Sequence, residues 1–159
     1  MRLLLSLRLM SKVTACTTGS ARILLIDDNH CGLLVRKTLL EESGHEITVA
    51  NTPEDGLVAF FNSKFDLVIT DYRMPKMNGR ELIAEIRKTH PQMPVILISG
   101  VVEPLGLNEQ NTGADIVVAK NNLEVTNLTR AVTRLLKRKT PKKPVRSQTG
   151  VARAQAKGY

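Results

Sequence analysis

The sequence predicts an α/β domain built on a five-stranded parallel sheet with helices on both faces, a doubly wound arrangement. Three observations predict it. Five short runs are apolar throughout instead of alternating, as strands buried on both faces are. A stretch with helical spacing or helix-start signals follows each run. Charged or hydroxyl residues stand at the ends of four of the runs. A chain of 159 residues accommodates one such domain with residues left over. At that size a core buries enough apolar surface to fold without a disulfide or a structural metal.

In chain order, Arg22-Ile23-Leu24-Leu25-Ile26 is the first strand and ends in Asp27-Asp28. Asn29 is placed to cap a helix running to about Ser43, with Gly44 supplying the left-handed stop. Ile47 to Ala50 forms the second strand, and Pro53 opens a helix through Phe61. Phe65 to Thr70 forms the third strand, followed by Asp71. A loop with Pro75 and Gly79 leads to a helix with Leu82, Ile83 and Ile86 on one face. Pro94 to Ile98 is the fourth strand, ending at Ser99-Gly100. The segment 103–112 carries Pro104 and Gly106, so a helix there is short or irregular. Ile116 to Ala119 is the fifth strand and ends at Lys120. Asn121 and Glu124 have capping-box spacing for a last helix, in which Leu128, Ala131, Val132, Leu135 and Leu136 share one face.

The net charge of +8 is a property of the ends. All fifteen acidic residues lie from Asp27 to Glu124, a stretch with nine basic ones, so the domain itself is acidic. Residues 1–20 are expected to be an N-terminal extension, either a disordered leader or the product of a start placed upstream of Met10. Arg8 and Lys12 break the apolar run that a signal peptide needs, and no stretch has the roughly 20 apolar residues of a membrane span. Residues 139–159 are basic, acid-free and interrupted by Pro141 and Pro144, so they are expected to be a disordered tail. Such a tail could hold nucleic acid through phosphate contacts. A solubilising or docking tail is favoured, because no DNA-binding domain follows and Tyr159 is its one aromatic residue. Cys16 and Cys31 lack CxxC spacing and read as unpaired thiols of a reducing cytoplasm. The three histidines form no zinc-type pattern.

In an open parallel sheet, ligands bind at the carboxyl ends of the strands near a topological switch point. Asp27, Asp28, Asp71, Ser99 and Lys120 converge on that edge. Any one of them is an ordinary cap or turn residue, but turn preference does not explain the set. Three adjacent carboxylates repel one another, and Mg²⁺, a hard cation suited to oxygen ligands, offsets that charge. An aspartate so placed can attack phosphorus and become an acyl phosphate. Lys120 would then balance charge on the phosphoryl oxygens while Ser99 donates a hydrogen bond.

Ile26-Asp27-Asp28-Asn29, the run from Asp71 through Arg73 and Pro75 to Gly79, Ser99-Gly100, and Gly113-Ala114-Asp115 with Lys120 together resemble the receiver domain of two-component response regulators. The resemblance covers about residues 21–138 and is closest to stand-alone, chemotaxis-regulator-like members. It implies a flavodoxin-like sheet of order 2-1-3-4-5 and a phosphoacceptor at Asp71. It also implies Mg²⁺ held directly by Asp28, Asp71 and the backbone carbonyl of Arg73, with Asp27 acting through water, and phosphoryl contacts from Ser99 and Lys120. The donor would be a histidine kinase or phosphotransfer protein and the output a downstream protein target. The domain would be a phosphoacceptor with Mg²⁺-dependent self-phosphorylation and slow self-dephosphorylation, not a turnover enzyme. It would be cytoplasmic, and a monomer or a weak dimer through the face of the fourth and fifth helices, counting segment 103–112 as the fourth.

The chain departs from the family at three places. Asn121 stands where the family has a proline, Val117 where it has a switch aromatic, and Pro104 with Gly106 interrupts the fourth helix. Two other classes compete with a receiver switch. An aspartate-nucleophile phosphatase of the haloacid dehalogenase type needs a second aspartate two residues past the nucleophile, where this chain has Arg73. A docking platform that has lost switching is consistent with Val117 and Asn121 but leaves the complete acidic pocket unexplained.

Overall fold

The computed structural model describes residues 19–139. The readings of residues 1–18 and 140–159, including Cys16 and most of the basic tail, lie outside the described residues. Strands β1 (Arg22–Ile26), β2 (Glu46–Ala50), β3 (Leu67–Asp71), β4 (Val95–Ser99) and β5 (Ile116–Ala119) form one sheet of order β2-β1-β3-β4-β5. Every pairing is parallel. The predicted doubly wound fold and strand order both hold.

Side-chain alternation along the buried strands feeds two cores. Ile23, Leu25, Leu67, Ile69, Ile96 and Ile98 face α1 (His30–Glu42) and the last helix, α6 (Glu124–Lys139). Leu24, Ile26, Val68, Val95 and Leu97 face α2 (Pro53–Asn62) and α3 (Gly79–Thr89). Leu82, Ile83 and Ile86 lie on the buried side of α3, and Leu128, Ala131, Val132, Leu135 and Leu136 on that of α6, as their spacing predicts.

The caps explain where the helices begin. Asn29 accepts from the Gly32 amide, Thr52 from that of Asp55, and Asn78 forms a reciprocal capping box with Glu81. Gly44 follows α1 with φ of 89°, the left-handed stop expected of it.

Three readings change, and the segment expected to be short or irregular proves to be so. The third strand starts at Leu67, not Phe65: the Asp66 amide still donates to the Arg22 carbonyl at 2.7 Å, but the Arg22 amide donates to the Asp66 carboxylate at 2.9 Å and not to a backbone carbonyl. Asp71 and Ser99 are the last residues of β3 and β4, not residues beyond them. Segment 103–112 is two single turns, α4 (Val102–Leu105) and α5 (Glu109–Thr112), divided by left-handed Gly106, so the last helix is the sixth. Asn121 and Glu124 make no capping box: Asn121 accepts from the Leu123 amide, and Glu124 turns instead to Arg36.

Candidate functional site

The chain leaves β1 toward β2 on one side and returns to β3 on the other, so a crevice opens where β1 and β3 end. Asp27 and Asp71 stand in it side by side. Asp71 holds its place through the strand itself, since the Tyr72 amide still donates to the Ile98 carbonyl at 2.9 Å. Helix α3 starts directly on this strand end. A Cβ on Gly79 would lie 2.3 Å from the Asp71 carbonyl oxygen and 2.7 Å from Leu97, so a glycine is required for the approach. The intervening loop turns through Lys76 at φ of 68°, a left-handed conformation that is strained for a side-chain-bearing residue.

Asp27, Asp28 and Asp71 each bring a carboxylate oxygen within 4.8 Å of the others. Asp27 and Asp71 are buried and Asp28 is exposed. Lys120 Nζ lies 2.7 Å from Asp71 Oδ1 and 3.3 Å from Asp27 Oδ2. Lys120 reaches the cluster because its amide donates to the Ser99 carbonyl at 2.8 Å, aligning the ends of β4 and β5. Ser99 is buried, and its Oγ accepts the Val101 amide at 3.1 Å, which leaves the hydroxyl proton for another acceptor. Arg73 follows in the loop with an exposed side chain. The Lys120–Asn121 peptide is trans.

Burial raises the pKa of Asp71 above the ordinary carboxylate value, and the neighbouring Asp27 charge adds to the rise. The bond from Lys120 opposes both without cancelling them. Three carboxylates thus stand around the single Lys120 ammonium, with Asp27 also paired to Arg36. Three clustered oxygen donors, two of them buried, fit a hard divalent cation.

Two members of this arrangement were not found in the sequence. Arg36, buried on α1, places Nη1 2.7 Å from Asp27 Oδ2 and Nε 2.7 Å from Glu124 Oε1. The signal was present: with Leu33 and Leu40, Arg36 falls on the helix face that packs inward, where an unpaired cation is not tolerated.

An acidic crevice of this kind, at the switch point of a 2-1-3-4-5 sheet, defines a class, and comparison with known proteins gives it a family. The family model for the response regulator receiver domain matches residues 23–145. The chain belongs to that family and is a receiver domain of the two-component response regulators. The gliding motility regulatory protein of Myxococcus xanthus is 32% identical over 117 residues, covering 72% of this chain and 15% of that protein. The transcriptional regulatory protein GlrR of Escherichia coli K12 is 39% identical over 79 residues, covering 50% of this chain and 18% of that protein. The chain thus spans a small part of these curated relatives. Among solved structures, a response regulator receiver domain protein from Clostridium thermocellum is 34% identical with a TM-score of 0.67, covering 75% of this chain and 96% of that one. The response regulator TrrA of Thermotoga maritima, solved in complex with Mg²⁺–BeF, is 34% identical with a TM-score of 0.64, covering 72% and 98%.

Proposed function

We propose that this receiver domain takes a phosphoryl group on Asp71 from a histidine kinase or phosphotransfer partner and passes the event on as a change of surface shape. One observation carries the reading: Asp71 ends β3 with Lys120 Nζ at 2.7 Å, beside two further aspartates at the switch point. An Asp71 oxygen attacks phosphorus, the P–O bond forms as the P–N bond breaks, and the partner's imidazole leaves as the neutral ring, its other nitrogen already protonated. Lys120, now bonded to Asp71, faces the new phosphoryl oxygens, and the Ser99 hydroxyl donates to one of them. Asp28 and Asp71 with the Arg73 carbonyl would hold Mg²⁺ directly, and Asp27 would act through water. The bound cation supplies charge neutralisation at the phosphoryl oxygens.

The Mg²⁺–BeF complex of the Thermotoga relative supports the cation assignment. Among the described residues no helix is long and apolar enough to cross a membrane, which agrees with a domain working in the cytoplasm. Residues 21–138 would form the working unit. The test is phosphoryl incorporation from a small phosphoramidate or acyl phosphate donor in Mg²⁺. Wild type should label with an acyl phosphate that base and hydroxylamine cleave, and Asp71→Asn should not. Asp28→Ala should weaken Mg²⁺ binding strongly and Asp27→Ala less. Labelling of Asp71→Asn equal to wild type would overturn the assignment.

A further inference from the structure

Arg36 is a second cation in the acidic pocket, and the chain makes room for it. Its side chain is 8% exposed and bridges the Asp27 carboxylate to that of Glu124 in the first turn of α6. Gly32, one turn earlier on α1, supplies the space: a Cβ there would lie 2.8 Å from Arg36 Nη1. Gly32 is the third residue of α1, and the guanidinium fills the space that its missing side chain leaves. Both Asp27 oxygens are thereby engaged, with Oδ1 still able to accept from a water. Oδ1 accepts the Asn29 amide at 2.8 Å, and Oδ2 accepts Arg36 at 2.7 Å and Lys120 at 3.3 Å.

We propose that Arg36 is a positioning residue that sets the charge of the pocket and so limits its affinity for a divalent cation. The inference rests on the reading of Asp27, Asp28 and Asp71 as a cation site. With Arg36 and Lys120 both in place, two fixed positive charges stand against three carboxylates. Without Arg36 there is one. The guanidinium is part of the chain, so the compensation is permanent, unlike that of a bound ion. Glu124 regulates it by sharing the guanidinium with Asp27. The sharing ties pocket charge to the start of α6, where a groove of about 350 Å³ between α1 and α6 opens on the pair.

The experiment is calorimetric titration of MgCl₂ into the full chain, with folding of each variant checked by urea melts. Arg36→Met should bind Mg²⁺ about tenfold more tightly, the size expected for removing one partly screened charge near the ion. Arg36→Lys keeps the charge and should return affinity to near the wild-type value. Glu124→Gln leaves Arg36 to Asp27 alone and should weaken Mg²⁺ binding about threefold. Unchanged affinity in a folded Arg36→Met, or equal tightening in Arg36→Lys, would overturn the proposal. If Arg36→Met does not fold, the other two variants decide, and unchanged affinity in Glu124→Gln overturns it. Should neither wild type nor Arg36→Met take up Mg²⁺, the cation reading of the site fails together with this one. If wild type binds and the Arg36 variants match it, the present inference fails alone.

Discussion

At Asp71, burial and charge pull against each other. The residue is 6% exposed and lies beside Asp27, so its carboxyl holds a proton to higher pH when folded than when unfolded. The folded state then binds more protons between the ordinary carboxylate value and the raised one. Stability therefore falls as pH rises through that window, and the penalty is complete above it. Asp71→Asn should raise stability at neutral pH by about 1 kcal/mol in the presence of a chelator. The advantage should fade as pH drops below the ordinary carboxylate value, where both forms of the chain carry no charge at this position. Urea melts across acid to neutral pH measure it, and an Asn variant less stable at neutral pH would contradict the electrostatic account. Saturating Mg²⁺ should reverse the order, because a ligand that binds only the folded wild type stabilises it by mass action.

Two elements depend on single residues whose roles can be tested by substitution. Gly79 starts α3, where alanine would ordinarily favour the helix. Here the added methyl meets the Asp71 backbone and Leu97, so Gly79→Ala should cost about 2–3 kcal/mol and slow phosphoryl uptake by shifting the end of β3. Arg87, near the other end of α3, donates to the carbonyls of Pro91, Met93 and Gly113 and to the Asp115 carboxylate. Asp115 also accepts the Val95 amide, so one guanidinium fastens α3 to the starts of β4 and β5. Arg87→Ala should lower stability by about 2 kcal/mol in denaturant melts while leaving Mg²⁺ affinity unchanged. Continuous apolar runs made the strands legible, cap and stop signals made α1 so, and helical spacing made α3 and α6 so. On α1 the apolar residues alone would mislead, since Leu34 and Val35 are exposed. Pairings between distant residues were not legible. Glu124 had the spacing of a cap but found a buried arginine 88 residues away, a stronger partner than the local amide. Asp66 likewise looked like strand and became an acceptor for Arg22.

Across the whole molecule, the pocket and the segment after β4 differ sharply in how firmly they are held. Asp71, Ser99 and the strands beneath them are buried, whereas α4 contributes no buried residue and α5 only Thr112. Few buried contacts place residues 100–112 at the low-stability end of the domain. Val117 is half-buried against the core under α2 and α3 and has no polar tip to swing between two positions. A switch here must therefore draw on the phosphoryl contacts alone. Moving a two-state element from about 1:99 to 99:1 takes about 5.5 kcal/mol. Hydrogen bonds to charged groups contribute roughly 1.5–3 kcal/mol each, so two of them, from Ser99 and Lys120, supply nearly that much. The Ser99 hydroxyl already accepts the Val101 amide, so donating its proton to a phosphoryl oxygen pulls on the chain leading into α4. Hydrogen exchange with and without a beryllofluoride mimic of the phosphoryl group should show protection rising mainly in residues 100–112. The rise should survive Val117→Ala and vanish in Ser99→Ala. Protection confined to the acidic pocket would make the domain a phosphoryl carrier, with the two single turns between β4 and β5 as passive connection.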